Sequence, residues 1–123
     1  MSRGRLLLVD DEPALRRVIS RALVSAGFEV ANAADGAAAL ALFQLARVDA
    51  VISDVRMPVM GGLELLGRLR AHDPELPVVL ISASTELQTK SDAVQLGAFD
   101  FLQKPLDLSE LEDCAARAVA ARS

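Results

Sequence analysis

Five side chains have the types and placement for chemistry: the carboxylates Asp10, Asp11 and Asp54, the hydroxyl of Ser82 and the ammonium of Lys104. Each stands just past a short apolar run. Leu6-Leu7-Leu8-Val9 precedes the acid pair, Ala50-Val51-Ile52 precedes Ser53-Asp54, Val78-Val79-Leu80-Ile81 precedes Ser82, and Phe99-Asp100-Phe101-Leu102 precedes Gln103-Lys104. Three carboxylates drawn into one crevice repel and raise one another's pKa. A hard divalent cation removes that cost, and Mg²⁺ typically sits on one or two carboxylates plus a phosphate. Metal, ammonium and hydroxyl together suit a phosphoryl group, whose charge they neutralise while a nucleophile attacks in line. Asp54, between the acid pair and the lysine, is the natural nucleophile, and the product would be an aspartyl phosphate.

The intervening segments must bring these groups together. Fully apolar runs are the pattern of strands covered on both faces. After Asp10-Asp11-Glu12, Pro13 suits the first position of a helix with an acid as its cap. Leu15, Val18, Ile19, Ala22, Leu23 and Ala26 recur at helical spacing up to Gly27. Residues 28–33 alternate and read as an edge strand, and Asp35-Gly36 opens a second helix through Ala46. The strand over 49–53 is followed by a helix over 62–71, and the strand over 78–81 by the weakly periodic stretch 86–96. The strand over 99–102 leads into a final helix from Leu108. Five strands alternating with five helices mean one α/β domain, a parallel sheet with helices on both faces. In such sheets the active crevice lies outside the carboxyl ends of the strands, where all five side chains fall.

Each group has a plainer reading when taken alone. Asp10-Asp11-Glu12 could simply cap a helix, Asp54 could be a turn residue, Ser82 a loop hydroxyl and Lys104-Pro105 an exposed turn. Their shared placement at one end of successive strands is what favours a site. His72 has no matching ligand and reads as a solvated imidazole; Cys114, the one cysteine, reads as a small core residue. The net charge of −4 argues against direct nucleic-acid binding. No apolar run reaches the roughly 20 residues of a membrane span, and the N-terminus is too short for a signal peptide, so a cytoplasmic location is expected.

With these motifs assembled, the chain resembles the receiver domain of two-component response regulators over essentially its whole length. The resemblance is carried by Val9-Asp10-Asp11-Glu12, by the stretch from Asp54 through Pro58 to Gly62, by Ser82-Ala83, and by the stretch from Gly97 through Phe101 to Lys104-Pro105. It implies a flavodoxin-like doubly wound fold with strand order 2-1-3-4-5, and a single receiver domain over 1–123, either complete or the N-terminal part of a longer regulator. It further implies that Asp54 accepts a phosphoryl group from a histidine kinase or phosphotransfer protein. Asp11 and Asp54 would bind Mg²⁺ directly, Asp10 through water, with the Arg56 backbone carbonyl as another ligand. Lys104, the Ser82 hydroxyl and the Ala83 amide would hold the phosphoryl oxygens. Ser82 and Phe101 would be the switch pair, and the Lys104–Pro105 bond is expected to be cis. Phosphorylation would then reshape the face built from residues 86–96, 99–102 and the last helix, to which an effector or a second copy could bind.

Three residues depart from the family's common pattern. Ser82 stands where Thr is common and keeps the hydroxyl; Phe101 stands where Tyr is frequent and lacks an outward hydrogen bond; Gly61 replaces a common polar residue. Arg56 and Ser84 occupy positions that tune autodephosphorylation. Beyond catalysing its own phosphorylation and dephosphorylation, the chain is not expected to be an enzyme. A phosphorylation-independent pseudo-receiver is the alternative. A Mg²⁺-dependent aspartyl-phosphate phosphatase is a weaker one, since strand 1 ends in Asp-Asp-Glu-Pro and there is no insertion for a cap. A dinucleotide-binding oxidoreductase is disfavoured because acids, and no Gly-rich loop, follow the first strand.

Overall fold

The computed structural model of the chain describes residues 2–83 and 87–122. Strands β1 (Arg5–Val9), β2 (Glu29–Ala33), β3 (Ala50–Asp54), β4 (Val78–Ser82) and β5 (Asp100–Gln103) alternate with helices α1 (Pro13–Ser25), α2 (Gly36–Leu45), α3 (Gly62–His72), α4 (Leu87–Gln95) and α5 (Leu108–Arg122). The strands form one parallel sheet in the order β2-β1-β3-β4-β5. Chain order reverses between β1 and β3, so their carboxyl ends frame the crevice expected of a doubly wound sheet.

The layers follow from strand alternation. Successive side chains of a strand point to opposite faces. Leu6, Leu8, Ile52, Val79 and Ile81 therefore pack with Ile19 and Leu23 of α1 and with Leu111, Cys114, Ala115 and Ala118 of α5. Leu7, Val9, Val51, Val78 and Leu80 pack with Ala39 of α2, with Leu65, Leu66 and Leu69 of α3, and with Ala93 of α4. Central strands buried on both faces cannot alternate polar and apolar residues, which is why they read as continuous apolar runs. β2 pairs only with β1 and is the mixed edge strand.

Two details differ from the sequence expectation. Asp54 is the last residue of β3 and buried, where the sequence suggested a strand ending one residue earlier; the Val55 amide still donates to the Ile81 carbonyl at 2.9 Å, carrying the pairing past it. Glu12 occupies the N-cap position of α1, yet its side chain makes no capping hydrogen bond. Asp35, by contrast, caps α2 by accepting from the Ala38 amide at 2.7 Å.

Candidate phosphoryl-transfer site

The site is assembled from the carboxyl ends of β1, β3, β4 and β5. Asp10 follows β1 and is buried, and its backbone is fixed from two sides. Its amide donates to the Ala33 carbonyl at 3.1 Å, and its carbonyl accepts from the Arg16 guanidinium at 2.6 Å. Its carboxylate accepts from the Glu12 amide at 2.9 Å. Asp54 is held by the tight return of the chain into α3. The Gly62 amide donates to the Val55 carbonyl at 2.8 Å, and a Cβ on Gly62 would collide with the Asp54 carbonyl oxygen. The Arg56 amide approaches Asp54 Oδ1 at 3.4 Å while the Arg56 side chain points to solvent. In the same loop, Val59 is fully exposed at φ 68°, a left-handed conformation rare for a β-branched residue.

Lys104 extends β5 toward the acids. Its amide donates to the Ser82 carbonyl at 2.9 Å, and the peptide that follows, to Pro105, is cis as expected. Its Nζ donates to Asp54 Oδ2 at 3.2 Å and lies 3.6 Å from a Glu12 carboxylate oxygen. Ser82 is buried at the end of β4, one register step from Asp54, whose partner is Ile81. Ala83 is exposed, and Ser84 lies outside the described residues. Phe101 is half-buried and packs against the sheet face that carries α2, α3 and α4.

The acids that gather differ in one member from the expected set. Asp10, Glu12 and Asp54 each offer a carboxylate oxygen within 4.8 Å of the others. Asp11 is exposed and lines an adjoining cavity of about 330 Å³ with Ala34, Asp35, Gly36, Pro58, Val59 and Met60. In sequence, Glu12 reads as part of a helix cap; the available signal was a run of three acids where an N-cap needs a single residue.

Burial and charge crowding bear on Asp10 and Lys104. Burial, and then the charge of Asp54, push the Asp10 carboxyl above its ordinary range against the pull of the Glu12 amide and Lys104. Burial would lower Lys104, but the hydrogen bond and charge of Asp54, with Asp10 and Glu12, outweigh it and hold the ammonium protonated. An all-oxygen set with surplus negative charge fits a hard cation such as Mg²⁺. Cys114 is no rival nucleophile: burial and the neighbouring Asp100 push its thiol up to about 12.

Similarity to characterised proteins agrees with this geometry. Residues 6–116 match the family model described as "Response regulator receiver domain". The chain is 42% identical over 120 residues to the regulatory protein AtoC of Escherichia coli, and 38% identical over 120 residues to the DNA-binding transcriptional regulator NtrC of the same organism. Each match covers 98% of this chain and 26% of the relative, so the chain spans about a quarter of those proteins' length. The chemotaxis protein CheY4 of Vibrio cholerae superposes with a TM-score of 0.89 at 37% identity, over 94% of this chain and 98% of that one. The receiver domain of NtrX from Brucella abortus gives 0.89 at 34% identity, over 94% and 98%. Response regulators receive phosphate from histidine kinases and act through downstream effector domains, and their receivers bind Mg²⁺ at an acidic pocket. Neither the pseudo-receiver nor the phosphatase reading is favoured by these matches. A parallel 2-1-3-4-5 sheet, an acid cluster with its lysine at the strand ends, and a family match over nearly the whole length lead to one assignment: the chain belongs to the receiver-domain family of two-component response regulators.

Proposed function

We propose that Asp54 is the phosphoacceptor. One of its carboxylate oxygens attacks the phosphorus of a phosphohistidine on a partner kinase. A P–O bond forms, the P–N bond breaks, and the imidazole leaves with the bonding electron pair. The observation that carries this reading is the hydrogen bond from Lys104 to a buried Asp54 inside an acid cluster. Mg²⁺, when bound, would supply charge neutralisation to the transferring group, with Asp11 and Asp54 as direct ligands and Asp10 acting through water; the gathering of the Asp10, Glu12 and Asp54 carboxylates and the place of Asp11 at the adjoining cavity support this reading. The backbone carbonyl of Arg56 is offered as a further ligand. Lys104 needs only to follow the charge from the carboxylate to the new phosphoryl oxygens, with Ser82 and the Ala83 amide as further donors. The aspartyl phosphate stores a signal, and its formation and hydrolysis are the only reactions assigned to the chain.

The added charge, about two units, draws Ser82 and Lys104 inward and gives Phe101 room to bury. The face of α4, β5 and α5 changes in consequence. Val94, Leu96 and Leu108 are exposed on or next to these elements, which also carry the Arg117–Asp100 and Arg117–Asp113 pairs, and the face suits an effector or a second copy. Residues 1–123 act as one receiver unit in the cytoplasm, and the acidic balance disfavours direct nucleic-acid contact by this unit. The switch is tested by amide NMR with Mg²⁺ and beryllofluoride. Shifts concentrated at Ser82, Phe101 and α4 are expected; shifts confined to the residues around Asp54 would refute the coupling.

A further inference from the structure

We propose that Glu12 is the second seat of the Lys104 ammonium, a counter-ion that shares the lysine with Asp54 and keeps part of its charge off the nucleophile. The inference rests on Asp54 being the phosphoacceptor. Glu12 stands at the N-cap of α1, a place where shorter side chains such as Asp accept from the first-turn amides, and its own carboxylate makes no such bond and is left for other partners. Its carboxylate turns toward the site and lies 3.6 Å from Lys104 Nζ. Lys104 lies 3.2 Å from Asp54 on its other side. The ammonium is thus suspended between a buried carboxylate and one at the site's open edge, the two side chains being 6% and 63% exposed.

This arrangement has a consequence for reactivity. A carboxylate oxygen that accepts fully from an ammonium is a poorer nucleophile, because its electron pair is engaged and its charge offset. A second acceptor weakens that hold without removing the lysine. Lys104 then remains within reach of the phosphoryl oxygens that appear on Asp54. Glu12 touches neither metal nor phosphoryl group in this role; it is a positioning residue acting through Lys104. Because Glu12 is largely exposed, its effect is bounded to the scale of a partly screened ion pair.

The chain contains two lysines, Lys90 and Lys104, which makes the test direct. With ¹³Cε-labelled lysine, the metal-free wild type and Glu12→Gln are compared without any phosphodonor. The Lys104 signal is expected to move and the Lys90 signal to stay. Uptake from acetyl phosphate is then timed at saturating Mg²⁺, so that any change in metal affinity drops out. Glu12→Gln is expected to slow uptake about three- to fivefold. In a Lys104→Met background the same substitution is expected to change the rate by less than about twofold, because the intermediary is gone. An unmoved Lys104 signal, or an equal slowing in the Met background, overturns the proposal. Failure of the wild type to take up phosphate would instead refute the phosphoacceptor assignment, and the labelling result would still report whether Glu12 holds the lysine.

Discussion

At the scale of single residues, Asp10 illustrates how the site is kept under tension. Its carboxylate is buried beside Asp54, and its proton is held more tightly in the folded chain than in the unfolded one. Such a group costs stability as pH rises above its unfolded value of 3.8, and the cost is fully present at neutral pH. Asp10→Asn keeps an acceptor for the Glu12 amide and removes the charge. Without metal at pH 7 it is expected to raise stability by roughly 1 kcal/mol, about 3–5 °C in Tm. With Mg²⁺ present the order is expected to reverse, since the proposed role of Asp10 at the metal needs its charge. Thermal melts in EDTA and in excess Mg²⁺ check both signs; a variant less stable than wild type in EDTA contradicts the crowding argument.

At the scale of elements, the turn from β3 into α3 sets where Asp54 stands. Gly62 is needed there for lack of a side chain, not for an unusual φ. Its Cα faces the Asp54 carbonyl and sits so close that a Cβ would come within 2.9 Å of the Val55 Cα. Both obstacles are backbone, which cannot swing aside. Gly62→Ala is therefore expected to destabilise by about 2–3 kcal/mol and to disturb the Asp54 carboxylate. Chemical denaturation measures the first effect, and Mg²⁺ affinity the second. Gly67, with open space around its Cα, is the internal control: Gly67→Ala is expected to be neutral or slightly stabilising. Pro58, Gly61 and Gly62 are residue types that suit a turn, but the reason for the last glycine lies in a backbone approach that spacing does not encode.

At the scale of the whole molecule, the two helical layers are tied at the end opposite the site. Asp73, the C-cap of α3, pairs with Arg122 in the last turn of α5, and its hydrogen bond with that guanidinium lowers its carboxyl below the ordinary value. A lowered carboxyl contributes stability that is present above 3.8 and is lost as pH falls through the folded value. Arg122→Ala should thus lower stability by about 0.5–1 kcal/mol at pH 7. The gap to wild type should narrow as pH falls below 3.8 and close once it has passed through the lower folded value. A gap that persists in acid would mean that the arginine stem's packing, and not the ion pair, is what was lost.

The architecture was legible in the sequence because the central residues of β1, β3 and β4 are buried on both faces and form continuous apolar runs, broken only where Arg5 enters β1 and where Ser53, Asp54 and Ser82 close β3 and β4. Strand order came from the family resemblance, since alternation of strands and helices permits several orders. Lys104 and Asp54 could be drawn together from their places at strand ends, and the structure puts them in hydrogen-bond contact. The orientations of Asp11 and Glu12 could not be read. Consecutive residues in a loop point in different directions, and nothing in their types says which one faces the crevice.

The central claim is that Asp54 stores a phosphoryl group. Wild type and Asp54→Asn are incubated with Mg²⁺ and acetyl phosphate and followed by intact-protein mass spectrometry. Wild type is expected to gain a single phosphoryl group that hydroxylamine removes, as for an acyl phosphate. Asp54→Asn is expected to gain none while keeping the far-ultraviolet circular dichroism of the fold. A hydroxylamine-labile phosphoryl group on the folded Asn variant would place the acceptor elsewhere and contradict the account.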